Sequence, residues 1–309
     1  MTLPSAGQVR RVSPTTEVTG VPEPEPSPSE LVVDVSAVSV NRGELRLLAA
    51  RPEGWRPGQD VAGTVRVAAK DGSGPPVKTR VVAWVDQAGW AERVCASVDR
   101  VAVLADDVSF SAAATLPIAG ITALRALRVG GELLGRRVLV TGAAGGVGRF
   151  AVELAARGGA LVTAVALNPS RAEGLAGLGA DAVVFDIGDA EGPFDVILES
   201  VGGASLATAL RLVAPQGSVI VFGNSSGEAT EVGFGDFVGR PGARIVGFFV
   251  YHSAQPPGFG EDLQRLTDLI ARDELHPQVG MEVSWTEAAV AFEAVQGRRV
   301  NGKAVLIID

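Results

Sequence analysis

A chain of 309 residues is long enough for two domains or for one large one. Hydrophobic residues make up 47% and the formal net charge is -8, so we expect sizeable cores and neither a nucleic-acid nor a membrane partner. One cysteine and two histidines leave no disulfide within the chain and no cysteine–histidine cluster spaced for a metal. With no visible signal peptide or membrane-spanning apolar run, we predict a soluble, cytoplasmic protein.

The first part of the chain is predicted to form a small, mostly antiparallel, barrel-like unit. Residues 1–30 carry prolines at positions 22, 24, 26 and 28, which predict extended backbone leading into a strand. Residues 31–40 then alternate between apolar and polar, as in a half-buried strand. Loops separate the other predicted strands, including a loop at Arg51–Gly58 that is rich in Pro, Gly and Trp. Those strands are Asp60–Ala68, Val81–Val85 and Trp90–Cys95.

The middle of the chain changes to alternating strands and helices. A helical stretch at 111–127, broken at Pro117 and Gly120, precedes this alternation. The predicted strands are Val138–Thr141, Leu161–Leu167, Ala182–Asp186, Val196–Glu199, Val219–Gly223 and Ile245–Val250. Helices are predicted between them at 147–157, 169–178, 204–213 and, more weakly, 234–239. Such alternation requires crossover connections and predicts an α/β fold with a doubly wound parallel sheet.

The last part of the chain contains two predicted helices, Glu261–Arg272 and Thr286–Val295, and a closing strand, Ala304–Ile308. We expect this tail to return to the first domain and complete it. The predicted domains are therefore residues 1–113 with 256–309, and residues 114–255 as an inserted dinucleotide-binding domain.

A glycine-rich turn joins the first strand of the middle region to its first helix. Residues 143–148 read A-x-G-x-x-G, with alanine at the first glycine of the dinucleotide fingerprint. Gly145 permits close approach of a pyrophosphate, and Gly148 permits close packing of the helix on the strand. The helix N-terminus presents N–H groups and a partial positive charge to the phosphates.

The residue at the end of the second strand of the middle region indicates whether a dinucleotide site prefers NAD or NADP. An acidic residue there would bind the ribose 2′-hydroxyl, but Ala166 stands at that position. Asn168, Ser170 and Arg171 follow, and a guanidinium with short polar groups suits a 2′-phosphate. We therefore predict NADPH, with an ordinary exposed helix residue as the alternative interpretation of Arg171.

Two further loops follow strands of the predicted sheet. The segments 199–202 and 222–225 lie where ligand crevices form in such sheets. We expect Val201, Gly223 and Asn224 to contact the nicotinamide side of the cofactor. The alternative is that these two segments are ordinary connections between a strand and the following helix and do not contact a ligand.

Taken together, an ordered set of motifs resembles the medium-chain dehydrogenase/reductase superfamily, in its zinc-free quinone oxidoreductase branch. The resemblance runs from about Leu31 to Asp309. The motifs that carry it are Val38–Leu45, Pro57–Gly63, Leu116–Leu124, Gly142–Gly148, Leu178–Asp181 and Gly302–Leu306. It implies a GroES-like mostly-β domain plus a Rossmann domain, and NADPH-dependent reduction of a quinone or an enone.

The resemblance also implies roles for individual residues. Asn41 and Thr122 would lie beside the nicotinamide and position it, and Asn301 would close the cofactor site. The pyrophosphate would be held by Gly145, Gly146 and Val147. The nicotinamide would be flanked by Phe248, Phe249 and Val250, which alternatively form a buried strand. Related chains often pair across a dimer axis here, so a homodimer is expected.

The chain departs from its resemblance in two respects. Related enoyl reductases often place a proton-donating tyrosine shortly after the Asn41 motif, but residues 45–56 contain none. A solvent proton, or Glu44, Arg42 or Asp60 acting indirectly, would have to serve, and we predict water. The cysteine and histidine counts are too small for the zinc sites of zinc-dependent members. Cys95 is predicted to be a small buried residue rather than a nucleophile.

Two other functions compete with quinone or enone reduction. One is an enoyl-thioester reductase of lipid or polyketide synthesis, which the missing tyrosine weakens. The other is a non-catalytic NADPH-binding structural or regulatory protein, because no obligatory acid–base residue is apparent. Hydride transfer to a substrate distinguishes the enzymes from the binding protein.

Overall fold

The computed structural model describes residues 8–12, 18–52, 54–253 and 258–309. They fall into two compact units, which are called here the β-rich unit (1–121 with 255–309) and the parallel-sheet unit (122–254). The domain division predicted from the sequence stays a prediction, and its second boundary, at 255–256, lies outside the described residues.

The strands and helices are numbered in chain order. The strands are β1 (Gln8–Val12), β2 (Val18–Pro22), β3 (Glu30–Val40), β4 (Asp60–Val67), β5 (Arg80–Trp84), β6 (Arg93–Ser97), β7 (Val101–Val103), β8 (Arg137–Val140), β9 (Leu161–Val165), β10 (Ala182–Val184), β11 (Phe194–Glu199), β12 (Val213–Val221), β13 (Arg244–Gly247), β14 (Val279–Ser284) and β15 (Lys303–Ile307). The helices are α1 (Arg42–Ala50), α2 (Phe110–Ala114), α3 (Ile121–Gly130), α4 (Gly146–Arg157), α5 (Pro169–Ala172), α6 (Gly203–Leu212), α7 (Phe259–Ala271) and α8 (Ala288–Gln296).

The β-rich unit is built around β3. Its strands follow the order β14-β15-β3-β4-β5-β7, and β6 also pairs with β3. Pairing is antiparallel except between β14 and β15. Because β3 has neighbours along both edges, Leu31 and Val33 are fully buried, and the core includes Trp90 and Trp285. The closing strand β15 pairs with β3, so the tail does return to this unit.

Two parts of the β-rich unit differ from the sequence prediction. Helix α1 follows Asn41, where no helix was predicted. The N–H of Asn41 donates to the Glu44 carboxylate at 3.0 Å, and the N–H of Glu44 donates to the backbone oxygen of Asn41 at 3.1 Å, so the helix starts here. Strands β1 and β2 pair antiparallel within the region predicted only as extended, and Pro24, Pro26 and Pro28 follow β2.

The parallel-sheet unit has the strand order β10-β9-β8-β11-β12-β13 with all pairs parallel. This confirms the predicted doubly wound sheet. The predicted helix 169–178 is wrong beyond Ala172, because α5 ends there and Gly174 takes a φ of 79°. The weak helix at 234–239 is a short 3₁₀ turn, Phe234–Phe237.

The predicted break at Pro117 and Gly120 is a π-helical turn, Leu116–Gly120, between α2 and α3. Pro117 has no N–H for a regular helical bond, so the backbone departs from α geometry there. The whole turn is buried. Of the helices that the structure describes, none is long and apolar enough to cross a membrane.

Candidate functional site

The glycine-rich turn lies between β8 and α4 in the parallel-sheet unit. Gly142 has a φ of 60°, and the N–H of Gly145 donates to Gly142 O at 3.0 Å, which closes the turn. A Cβ at Gly148 would lie 2.4 Å from Gly142 O and 2.7 Å from Ala143 Cα. Helix α4 therefore packs against the turn more closely than any side chain at Gly148 permits.

The N-terminus of α4 has the geometry of an anion site. Gly145 is the N-cap residue and supplies no side-chain hydrogen bond to the first turn. Gly146 and Val147 are the first two helical residues, and no acidic residue stands in that turn. Because a 12-residue helix presents its first N–H groups and its positive dipole end here, the turn fits the pyrophosphate of a dinucleotide.

The residues predicted to select the cofactor follow β9. Asn168 caps α5, because its Oδ1 accepts from the N–H of Arg171 at 3.1 Å and from the Ser170 hydroxyl at 2.8 Å. The Arg171 guanidinium turns back toward the glycine-rich turn and donates to Ala144 O at 3.4 Å. Ala166 is buried immediately after the strand. A cation therefore reaches the glycine-rich turn from the end of β9, and the residue that follows the strand is an alanine rather than an acid.

Glu199, at the end of β11, organises the next loop. Its carboxylate is fully buried and accepts from the N–H groups of Val201 and Gly202 at 3.0 and 2.9 Å. It also accepts from the hydroxyls of Ser205 and Thr141 at 2.9 and 3.2 Å. Glu199 thus joins the β8 end to the start of α6 and fixes the backbone around Val201. Sequence reasoning noted Glu199 only as a strand end.

The loop after β12 packs against this one. A Cβ at Gly223 would lie 3.1 Å from Ser200 O, so glycine permits the close approach. Asn224 Oδ1 accepts from the Ser226 hydroxyl and from the N–H of Gly227 at 3.1 and 3.0 Å. The structure therefore brings Val201, Gly223 and Asn224 together at one edge of the sheet, with the Asn224 oxygen engaged in its own loop.

The segment after β13 presents both buried and exposed side chains. The N–H of Phe248 donates to Val221 O at 2.8 Å, which continues the pairing with β12. Phe248 and Val250 are buried, whereas Phe249 is 57% exposed. Thr122 lies buried near the start of α3 in the same unit. The predicted strand 245–250 thus ends at Gly247, and its last residues form an irregular edge.

In the β-rich unit, four polar side chains form a buried group, called here the Asn41 cluster: Asn41, Glu44, Asp60 and Lys303. The Asn41 amide nitrogen donates to Glu44 Oε2 at 3.0 Å and to Asp60 Oδ2 at 2.8 Å. Lys303 Nζ donates to Asn41 Oδ1 and, at 3.1 Å, to Asp60 Oδ2. Asn41 is the most exposed member at 9%, against 4% for Lys303 and 0% for the carboxylates.

Backbone and hydroxyl donors complete the shell of both carboxylates. Asp60 Oδ1 accepts from the N–H of Ile118 in the π-helical turn at 2.9 Å, and Oδ2 accepts from the Ser39 hydroxyl at 2.6 Å. Glu44 Oε1 accepts from the N–H of Gly58 at 2.9 Å. Each carboxylate oxygen thus has a donor from the chain, which offsets the cost of burial.

Glu44 has a strongly altered acidity. Burial in the core raises the pKa of Glu44 from 4.5 to about 7, and the charge of Asp60 adds to the rise. Lys303 and the donors of Asn41 oppose this rise in the pKa.

Asn301 lies two residues before Lys303, at the entrance to β15 in the same unit. A Cβ at Gly280 would be 2.0 Å from the carbonyl oxygen of Asn301.

Comparison with known proteins agrees with these features. The family model described as zinc-binding dehydrogenase matches residues 146–272. A quinone oxidoreductase of Pseudomonas aeruginosa is 28% identical over 92% of this chain and 92% of its own. Prostaglandin reductase-3 of Bos taurus is 29% identical, over 92% of this chain and 83% of its own. A mycobacterial protein solved with NADPH has a TM-score of 0.86 at 22% identity, over 97% of this chain and 99% of its own, and shows the same fold.

The comparisons bear out the predicted resemblance to the medium-chain dehydrogenase/reductase superfamily, in its quinone oxidoreductase-like branch. The fold is the expected GroES-like unit with a Rossmann unit. The similar proteins support an oxidoreductase.

The description of the matching family model refers to zinc, so the possible metal ligands of this chain are relevant. Within the described ranges, no three His, Cys, Asp or Glu side chains are grouped to hold a metal ion. The lone Cys95 is half-buried, and burial, with the charge of Glu30, raises the pKa of its thiol to about 11. Cys95 is therefore a neutral thiol near neutral pH.

Sequence reasoning missed the Asn41 cluster as a unit, although it named each residue. The signals were a lysine in an otherwise apolar closing strand and an aspartate opening a buried strand. Lys303 and Asp60 are 243 residues apart, and only the pairing of β15 and β4 on either side of β3 brings them together.

Proposed function

We propose that this chain is a zinc-independent, NADPH-dependent oxidoreductase that transfers hydride to a quinone or an α,β-unsaturated carbonyl. The observation that carries the proposal is the position of Arg171, whose guanidinium reaches Ala144 beside the uncapped N-terminus of α4. A cation at that position favours a 2′-phosphate, which NADPH carries and NADH lacks.

Binding of the cofactor is assigned to residues at the carboxyl edge of the parallel sheet. Gly145, Gly146 and Val147 would hold the pyrophosphate at the α4 N-terminus. Asn168, Ser170 and Arg171 would bind the adenosine 2′-phosphate. The other proposed cofactor residues of the parallel-sheet unit are Val201, Gly223, Asn224, Phe248, Phe249 and Val250. When bound, the cofactor supplies the hydride for the reduction.

In the β-rich unit, we assign Asn41 and Asn301 to the cofactor, and Asn41, with Thr122 of the other unit, to positioning rather than acid–base chemistry. The proton that completes reduction of an enone is assigned to water. Both nearby carboxylates, Glu44 and Asp60, are fully buried and accept hydrogen bonds from donors of the chain, so neither is poised to donate a proton outward.

Two relatives support this substrate class, and one solved structure supports the cofactor. The Pseudomonas aeruginosa relative is named as a quinone oxidoreductase, and the Bos taurus relative is named as a prostaglandin reductase. The mycobacterial structure with the same fold contains NADPH. These relatives support a small-molecule substrate. The cytoplasmic location remains a prediction from the sequence.

A homodimer is part of the proposal. Strand β13 is the last strand of the parallel sheet in the described order, so its outer edge offers backbone groups for pairing. Ile245 on this strand and Phe249 just after it are exposed apolar residues, as is Phe234 nearby in sequence. An exposed edge with apolar side chains suits pairing with the same edge of a second copy.

The assay that tests the function follows NADPH oxidation by absorbance with three substrate panels: quinones, enones and enoyl thioesters. We expect turnover with quinones or enones, and weak or no turnover with the thioesters. Turnover confined to enoyl thioesters would support the enoyl reductase alternative. NADPH binding without oxidation in all three panels would support a non-catalytic binding protein.

A further inference from the structure

The Asn41 cluster leaves Asn41 with one unused hydrogen-bonding position. A carboxamide side chain has two N–H donors and two acceptor lone pairs on its oxygen. Both donors are engaged, one by Glu44 and one by Asp60. One acceptor position is engaged by Lys303. The remaining position is the second lone pair of Oδ1.

The orientation of the amide is determined by its neighbours. If the amide were rotated by 180°, its oxygen would face two carboxylates and its nitrogen would face the Lys303 ammonium. Acceptors would then meet acceptors and donors would meet a donor, which is unfavourable for all three partners. Lys303, Asp60 and Glu44 together therefore select one of the two orientations.

We propose that Lys303, Asp60 and Glu44 are positioning residues that restrict Asn41 to acting as a hydrogen-bond acceptor toward bound cofactor. This inference rests on the proposed function, because it requires cofactor at Asn41. It specifies the chemistry of the partner, which must present an N–H or O–H group. In the nicotinamide half of the cofactor, those groups are the carboxamide NH₂ and the ribose hydroxyls.

A consequence for the reaction follows from this restriction. Asn41 has no N–H left to donate to a substrate carbonyl oxygen, so it does not polarise that carbonyl. Its contribution is to orient the nicotinamide nucleoside from the β-rich unit. The reaction then depends on placement rather than on acid catalysis by this cluster.

The test combines cofactor analogues with variants. Three analogues of NADPH are titrated by fluorescence: the 3-acetylpyridine analogue, which lacks the carboxamide NH₂, and two analogues that lack the 2′- or the 3′-hydroxyl of the nicotinamide ribose. We expect one of them to bind the wild-type chain about five- to tenfold more weakly than NADPH, the loss of one hydrogen bond. The analogue affected identifies the donor.

The variants then test whether Asn41 and its neighbours cause this discrimination. Asn41→Leu removes the acceptor oxygen. Lys303→Met removes the ammonium group that helps to hold the Asn41 amide in one orientation. In both variants we therefore expect NADPH and the affected analogue to bind equally. If Lys303→Met does not fold, the double variant Lys303→Met with Asp60→Asn removes both charges and carries the same expectation. Val33→Ala, a cavity in the same core, is the control for destabilisation and should retain the discrimination.

Three results would overturn the inference. The first is equal binding of NADPH and all three analogues by the wild-type chain. The second is discrimination that survives in Asn41→Leu, and the third is discrimination that survives unchanged in Lys303→Met or its double variant. Failure of the wild-type chain to bind NADPH at all would instead refute the proposed function, and the inference would fall with it.

Discussion

Lys303 Nζ lies 3.1 Å from Asp60 Oδ2, with the lysine side chain 4% exposed and the aspartate side chain fully buried. The two residues open β15 and β4, which both pair with β3. A buried ion pair of this kind is surrounded by further donors and acceptors, so each charge depends on the other. The pair links the end of the chain to its early strands.

Lys303→Met should be strongly destabilising, because it leaves the Asp60 and Glu44 carboxylates buried without their cation. Removal of one partner from a buried pair costs about 3 to 5 kcal/mol of unfolding free energy. Urea denaturation followed by circular dichroism measures this loss. As a control, Arg66→Ala removes an ion pair with Asp34 in which both side chains are about half exposed, and it should cost about 1 kcal/mol or less. Equal losses for the two variants would contradict the account.

Glu44 should make stability depend on pH between 4.5 and about 7. Its folded pKa lies above its ordinary value, so the folded chain binds more protons than the unfolded chain in this window. The contribution of Glu44 is fully present below pH 4.5, declines as pH rises and levels off above about 7. Over this window the decline amounts to about 3 kcal/mol.

Glu44→Ala isolates this effect. Urea denaturation of the wild-type chain and of the variant at several pH values gives the difference in unfolding free energy. That difference should shrink as pH rises from 4.5 to 7. A difference that is constant or grows over this range would show that Glu44 is not held at a raised pKa.

Local signals in the sequence identified the parallel-sheet unit well. The strand–helix alternation and the glycine-rich turn each depend on residues close together in the chain, so their periodicity and spacing predicted β8, α4 and their order. The predicted helix 169–178 is longer than the observed helix α5. Gly174 and Gly177 disfavour a helix there, although the residues on either side of them favour one. Helix α1 was missed, although Asn41 and Glu44 have the spacing of a reciprocal cap.

The Asn41 cluster was not predictable in the same way. Its geometry requires residues 41, 44, 60 and 303 to meet, and their separation along the chain carries no local pattern. Strand register decides which side chains face each other, and register was not determined by the sequence reasoning. The resemblance to a family supplied a role for Asn41 but no neighbours for it.

Arg171→Ala should weaken NADPH binding by about ten- to a hundredfold and leave NADH binding unchanged. A hydrogen bond to a charged partner contributes about 1.5 to 3 kcal/mol, and only NADPH carries the 2′-phosphate. Fluorescence titration of each cofactor measures the two affinities. Arg157→Ala, at the other end of α4, is the matched control and should change neither. Loss of both affinities to the same extent would argue that Arg171 has a structural role.

Gly148→Ala should impair both the fold and cofactor binding. The added Cβ would lie 2.4 Å from Gly142 O, so α4 must move away from the turn that it packs against. Such overpacking costs about 1 to 3 kcal/mol, measured by thermal unfolding, and NADPH affinity should fall with it. Gly43→Ala in α1, where a Cβ meets nothing within 4 Å, should be neutral or slightly stabilising. A neutral Gly148→Ala would contradict the close packing.

Ile245→Lys should shift the proposed homodimer toward monomer. A lysine on the exposed edge strand β13 places like charges opposite each other if two copies pair there. Light scattering coupled to size exclusion gives the mass of each species. Leu134→Lys, at an exposed apolar residue before β8, serves as the control and should leave the mass unchanged. A wild-type chain with the mass of one copy would refute the dimer.

The most direct test of the central claim is a fluorescence titration of the purified wild-type chain with NADPH and with NADH. The account predicts saturable NADPH binding at least tenfold tighter than NADH binding, because Arg171 stands beside the uncapped turn and Ala166 replaces the acid that would bind the ribose of NADH. Equal affinities would contradict the assignment of NADPH. Binding of neither cofactor would contradict the assignment of the glycine-rich turn as a dinucleotide site.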